Sequence, residues 1–235
     1  MSENNFQNFL YIDSNKFLIS VYQQSNFKNL YFNEYKKKNS QNNLNLDELE
    51  IFLNQNIFKI EKSLDTFIKD INFIVDHKDL LSVDISIKKN NNGNEITLAN
   101  IKHSLNEIMH QFKDSFKDKT IIHMLINKYL IDGREFSKIP QNLDCQIFSL
   151  DVTFISLSNQ LIKELEMICE KYHISINKFV SAKYINEISQ LSNNDEDIFL
   201  RTKRIMEGCN DNEVVISSKI TRKKGFFERF FQLFS

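Results

Sequence analysis

Residues 222–235 read RKKGFFERFFQLFS, and their types suit one kind of chemistry: holding a chain to an anionic membrane surface. At about 100° per residue, Phe226, Phe227, Phe230, Phe231, Leu233 and Phe234 fall within an arc of roughly 160°. Glu228, Gln232 and Ser235 lie away from that arc, and Arg222, Lys223, Lys224 and Arg229 set positive charge beside it. A helix of this kind lies in the membrane interface, aromatic face inward and basic residues at the headgroups. Each basic residue near an anionic leaflet contributes about 1 kcal/mol. Ordering each backbone residue costs about 1 kcal/mol or more. One tail is therefore expected to bind weakly, and several tails in one assembly firmly. The competing arrangement is a terminal helix docked on the protein's own core.

Elsewhere the chemistry-bearing residues are sparse. Of the five histidines (His77, His103, His110, His123 and His173), His103 and His110 share a face of an expected helix. All five read as ordinary surface or half-buried side chains. Cys145, Cys169 and Cys209 are odd in number and widely spaced, so they imply no disulfide framework or zinc site and suit a reducing compartment. Asp84 and Asp151 fall on expected strands, where alternation puts them on the polar face. A phosphate cradle requires glycine, because backbone N–H groups must converge on the anion. None of Gly93, Gly133, Gly208 and Gly225 stands in such a turn. No catalytic residue, metal ligand or cofactor site is expected, and the chain reads as a binding protein rather than an enzyme.

The elements around these residues follow from hydrophobic period. The chain has 235 residues, 41% hydrophobic and 26% charged with a net charge of −1, which is ordinary for a folded domain and carries no nucleic-acid footprint. No run approaches the ~18 apolar residues of a membrane-spanning helix. The start, MSENNFQNFLYID, lacks a basic n-region, so the expectation is a cytoplasmic protein that meets the membrane from its surface. Residues 9–35 alternate in period two with turn signals at DSN and QQSN, predicting a three-stranded meander. Over residues 45–70, Leu46, Leu49, Phe52, Leu53, Ile57, Ile60, Leu64, Phe67 and Ile68 recur at helical spacing after a capping Asn45. Two strands follow, then a polar loop KNNNGNE, a helix from Thr97, the strand KTIIHMLINKYLID, the long strand CQIFSLDVTFISLS, a helix from about residue 159, the strand ISINKFVSA and a short helix. The pattern predicts an α+β, or mixed α/β, fold.

The segment from Lys119 to Tyr184 resembles the inserted SHS2-type 1C domain of FtsA, the actin-like bacterial division family. The features that carry the resemblance are the pair ending in His123, the run Tyr129 to Gly133, Pro140, FISLSNQLIKELEMICEK and ISINKFVSAKY. FLYIDSNKFLISV is similar to the start of that family's 1A unit; Asp13 is kept, but Ser14-Asn15-Lys16 replaces the glycine-containing phosphate turn. The resemblance implies a shortened FtsA-like chain. Residues 6–92 would be a partial 1A-like unit, 93–190 a 1C-like domain, 191–224 a linker and 225–235 the membrane-targeting helix; within the linker, the sparsely apolar stretch 196–224 reads as a short helix plus flexible chain.

What the resemblance implies for function is a membrane-tethered adaptor at the division site, on the cytoplasmic face of the inner membrane. Its partners would be an anionic membrane surface, divisome proteins with FtsZ among them, and further copies of itself. Two alternatives remain open: a degenerate ATP-binding actin-like protein, and a pilus-assembly adaptor similar to the PilM family.

Overall fold

In the computed structural model, residues 6–37, 44–140, 143–190 and 196–214 are described. Their elements begin with β1 (Phe6–Asp13), β2 (Lys16–Gln23), β3 (Asn29–Lys36), α1 (Leu46–Leu64), β4 (Asp70–Asp76) and β5 (Leu81–Glu95). Next come α2 (Leu98–Ser115), β6 (Lys119–Ile131), β7 (Arg134–Phe136) and β8 (Asp144–Ser158). The order closes with α3 (Asn159–Glu170), β9 (Ser175–Ser181), α4 (Ala182–Gln190) and α5 (Ile198–Met206). The fold is mixed α+β with two sheets, as the hydrophobic periods predict.

The chain divides into two units, the first built from Met1–Leu80 with Asn159–Glu207, the second from Leu81–Ser158 with Gly208–Ser235. The first unit holds a five-stranded sheet in the order β3-β2-β1-β4-β9. β1 to β3 form the antiparallel meander, while β4 runs parallel to both β1 and β9. Helices cover both faces, which is why β1, β2 and β4 each carry five or more consecutive buried residues instead of alternating. On one face Phe17 packs against Phe52 of α1, ring centroids 6.0 Å apart. On the other, Phe9 meets Phe199 of α5 at 5.8 Å. Asn45 caps α1, its side chain accepting from the amides of Asp47 and Glu48. That helix ends at Asp65 in the left-handed region, so Phe67 and Ile68, expected on it, lie beyond its end.

The second unit is a four-stranded antiparallel sheet, β5-β8-β6-β7, with α2 on one face. Thr97 and Asn100 form a reciprocal capping box at the start of α2. Ile101, Leu105, Ile108 and Phe112 bury against Phe148, Leu150, Val152 and Phe154. Phe112 and Phe154 stack at 4.9 Å, and replacing either by alanine is worth about 3–5 kcal/mol. Asp132 and Gly133, both at positive φ (46° and 79°), join β6 to β7. Two such residues in a two-residue loop make the hairpin turn whose twist matches its strands.

Three expected boundaries move. The loop expected around residues 89–95 belongs to β5, which continues to Glu95 through a register shift between Asn90 and Asn94. The single domain expected over 93–190 is split at Ser158, because β9 pairs with β4 and carries α3 and α4 into the first unit. The short helix expected within the linker over 191–224 is present as α5, but its Phe199, Thr202 and Ile205 are buried. That linker also contains residues that pair with β6.

Candidate functional site

The ends of the parallel strands β1 and β4 bring Asp13 and Asp76 side by side. The Tyr11 hydroxyl donates to Oδ2 of each carboxylate, 3.1 Å away in both cases. Burial, then the two carboxylates beside it, push the Tyr11 phenol well above its ordinary range, so it remains a donor. Asp13 Oδ1 accepts from the backbone amides of Asn15 and Lys16, the latter at 2.7 Å, which closes the turn into β2. Lys16 Nζ sits over the Tyr11 ring, 5.3 Å from its centroid. Both oxygens of the carboxylate kept from the phosphate-turn pattern are thus engaged within the hairpin itself.

The other singled-out residues are dispersed. His103 and His110 are exposed on α2; Glu107 stands between them on the helix, but Lys89 Nζ binds its Oε2. Among the described residues no group of three or more His, Cys, Asp or Glu side chains is arranged to hold a metal ion. Asp84 accepts from Thr153, and Asp151 accepts from Ser86 Oγ at 2.6 Å and pairs with Lys128 at 3.5 Å, all across neighbouring strands. These contacts tie the polar face of the sheet together. Burial lifts the Cys169 thiol to about 12 and raises that of Cys145, so neither is a thiolate near neutrality.

A denser constellation stands where the described chain ends. After the turn at Gly208 (φ +83°), residues 210–214 run along the edge of β6. The Val214 amide donates to the Met124 carbonyl at 2.8 Å, and the Ile126 amide to the Asn212 carbonyl at 2.9 Å, on either side of an antiparallel bridge between Leu125 and Glu213. Asn212 Nδ2 donates to the Ser137 carbonyl at 2.9 Å, and Lys138 pairs with Asp211 at 2.7 Å. Val214, 5% exposed, joins the core of the second unit. Beneath the bridge, His123 Nδ1 meets Glu213 Oε1 at 2.8 Å, the imidazole fully buried and the Glu213 side chain 7% exposed. In such a pair each partner helps to satisfy the other away from water.

Three solved structures are similar to this chain at low identity. The cytoplasmic domain of EpsL, an inner membrane component of the type II secretion system of Vibrio cholerae, matches at 9% identity, over 75% of this chain and 57% of that one, with a TM-score of 0.37. The PilM-PilN type IV pilus biogenesis complex matches at 6% identity, over 76% and 48%, with a TM-score of 0.43. A protein with an actin-like ATPase fold from Bacteroides thetaiotaomicron matches at 13% identity, over 80% and 57%, with a TM-score of 0.33. The chain spans between 48% and 57% of the length of these structures. No protein-family model and no curated protein matches the sequence.

The ten residues expected at the membrane (Arg222, Lys223, Lys224, Phe226, Phe227, Arg229, Phe230, Phe231, Leu233 and Phe234) lie outside the described residues. Among the described residues no helix is long and apolar enough to cross a membrane. The described residues nearest to it in the chain are 210–214, bound along β6. Sequence reasoning missed this root; the signal was the pair Glu213-Val214 after a glycine turn, a short β-prone stretch whose partner strand lies far away in the chain.

Proposed function

We propose that this chain is a membrane-tethered adaptor, a binding protein that holds a folded body at an anionic membrane surface through residues 222–235. The observation that carries the reading is the stitched root: residues 212–214 are bound into the edge of β6 and into the core of the second unit. A tail that starts from a fixed, buried root passes its hold to the folded body. The turn at Asp13 supports a body that binds rather than hydrolyses, since the retained carboxylate is occupied by its own hairpin. The outer strands β3 and β5, whose outer edges pair with no strand among the described residues, offer those edges to protein partners of a membrane assembly.

Two settings suit such an adaptor. A division complex, with FtsZ as a partner, rests on the motif order from Lys119 to Tyr184. The split at Ser158 divides that order between two units and weakens it. We therefore put first an inner-membrane pilus or secretion assembly, the second setting.

Sedimentation with anionic vesicles tests the tether. The parent chain is expected in the pellet and the Phe227→Glu/Phe230→Glu variant in the supernatant; equal sedimentation of the two sinks the reading. A fluorescent fusion separates the settings, a midcell band favouring division and its absence favouring the other.

A further inference from the structure

Within the first unit, α1 buries Leu49, Phe52, Leu53, Asn56, Ile57 and Ile60. A neighbouring stripe, Ile51, Asn54 and Phe58, instead walls a groove closed on its far side by Tyr172 and at one end by Phe67. The groove consists of two adjoining hollows that share Asn54 and Tyr172, the larger a cavity of about 480 Å³. Ile51, Phe58 and Phe67 are 58%, 69% and 77% exposed. Its walls are pinned: the Tyr172 hydroxyl donates to the Glu50 carbonyl at 3.3 Å, and the Ile68 amide to Glu61 Oε1 at 3.1 Å. Three large apolar side chains along one preformed groove are the footprint of an amphipathic helix.

We propose that this groove is the resting seat of the chain's own C-terminal segment, residues 225–235. That segment carries six apolar residues, and Phe226, Phe230 and Leu233 step by four and three, the spacing a groove of this kind takes. As a helix it would be about 16 Å long, against about 21 Å for the stretch of α1 between Asp47 and Glu61 that lines the two hollows. Acidic Asp47, Glu50 and Glu61 border the groove, with Lys171 tied to Glu50 at 2.7 Å and Lys69 as the other lysine. The segment brings Arg222, Lys223, Lys224 and Arg229 to that border. An aromatic face of this size left in water would drive self-association, and ten residues, 215–224, separate it from Val214. Groove and membrane would then compete for one face. The competition, though not the seat, rests on the tether reading.

The full chain with p-benzoylphenylalanine in place of Phe58, illuminated without vesicles, decides the seat. A cross-link to a peptide from 225–235 is expected, whether it runs as monomer or dimer, and it is expected to disappear in the Phe227→Glu/Phe230→Glu background. A cross-link only elsewhere, or none, overturns the seat. Vesicle sedimentation of an Ile51→Glu/Phe58→Glu variant decides the competition. Apparent membrane affinity should rise about tenfold if the seat is nine-tenths occupied; no rise while the parent sediments overturns it. If neither parent nor variant sediments, the tether reading and the competition both fail, and the cross-link still decides the seat.

Discussion

His123 and Glu213 meet at 2.8 Å beneath the edge of β6, ninety residues apart in the chain, and the contact locks the root of the C-terminal segment into the second unit. Removing one partner takes this hydrogen bond away from a buried polar group. Glu213→Ala is expected to lower the stability of the second unit by about 3–5 kcal/mol. The double change His123→Leu/Glu213→Leu should recover much of that loss. Denaturant titration measures the first effect. Hydrogen exchange at the Val214 and Ile126 amides shows whether the root has come free. A Glu213→Ala variant as stable as the parent, with both amides still protected, would mean that the pair holds nothing.

Asp13 separates a structural turn from a remnant nucleotide site. Asparagine keeps the Oδ1 acceptor that the Asn15 and Lys16 amides use, so Asp13→Asn is expected to stay within about 0.5 kcal/mol of the parent. Asp13→Ala loses that acceptor and should cost about 1–2 kcal/mol. Neither change should alter equilibrium binding of labelled ATP with magnesium. Saturable binding by the parent that Asp13→Asn abolishes would overturn the structural reading.

Stability should decline in alkali in a way that two substitutions dissect. Burial holds the Cys169 thiol at about 12 and the Tyr129 phenol at about 12, against ordinary values of 9.0 and 10.0. Above those ordinary values the unfolded chain has released protons that the folded chain retains, so folding weakens as pH rises. Each group contributes about 1.4 kcal/mol per pH unit. The window opens at about pH 9 for Cys169 and about pH 10 for Tyr129, and closes near the folded values. Tyr11, raised in the same direction, adds to the decline. Urea titrations at stepped pH should show a shallower decline for Cys169→Ala in the first unit and for Tyr129→Phe in the second. Unchanged slopes in both would contradict the burial argument.

Membrane binding should be electrostatic as well as apolar. Four basic residues at about 1 kcal/mol each predict that neutral vesicles bind on the order of 10³-fold more weakly than anionic ones. Raising salt to 1 M shortens the screening length from about 8 to about 3 Å and should remove most of that difference. Arg222→Gln/Lys223→Gln/Lys224→Gln should lose most of the preference for anionic lipid while keeping the weak apolar binding. Equal binding to neutral and anionic vesicles would assign the hold to the phenylalanines alone.

Elements governed by local periodicity were legible in the sequence. The meander to Tyr35, the start of the helix capped by Asn45, the helix from Thr97 and the turn at Asp132-Gly133 stand where residue types and spacing put them. What the sequence hid was pairing at a distance. Nothing in SINKFVS shows that its partner is DINFIVD, about a hundred residues earlier, and that single parallel ladder decides which unit owns α3 and α4. The root was hidden for the same reason: Glu213 is an ordinary exposed acid by type, and its pairing with the buried imidazole of His123 and its bridge to Leu125 come from residues far away in the chain. The groove on α1 was obscured differently, since Ile51 and Phe58 extend the apolar pattern of a helix without being part of its buried face.

The ladder between β4 and β9 also sets a timetable for synthesis. At about 5–20 residues per second, roughly a hundred residues of chain separate the emergence of the two strands by about 5–20 s. During that interval the Leu81–Ser158 portion of the second unit is translated in full, while one edge of β4 waits for its neighbour. An apolar strand with an open edge is what chaperones recognise and what aggregates when they fail. Newly made chains should therefore depend on holding factors most while residues 81–174 are leaving the ribosome, and a stall there should be more damaging than one after Ser181.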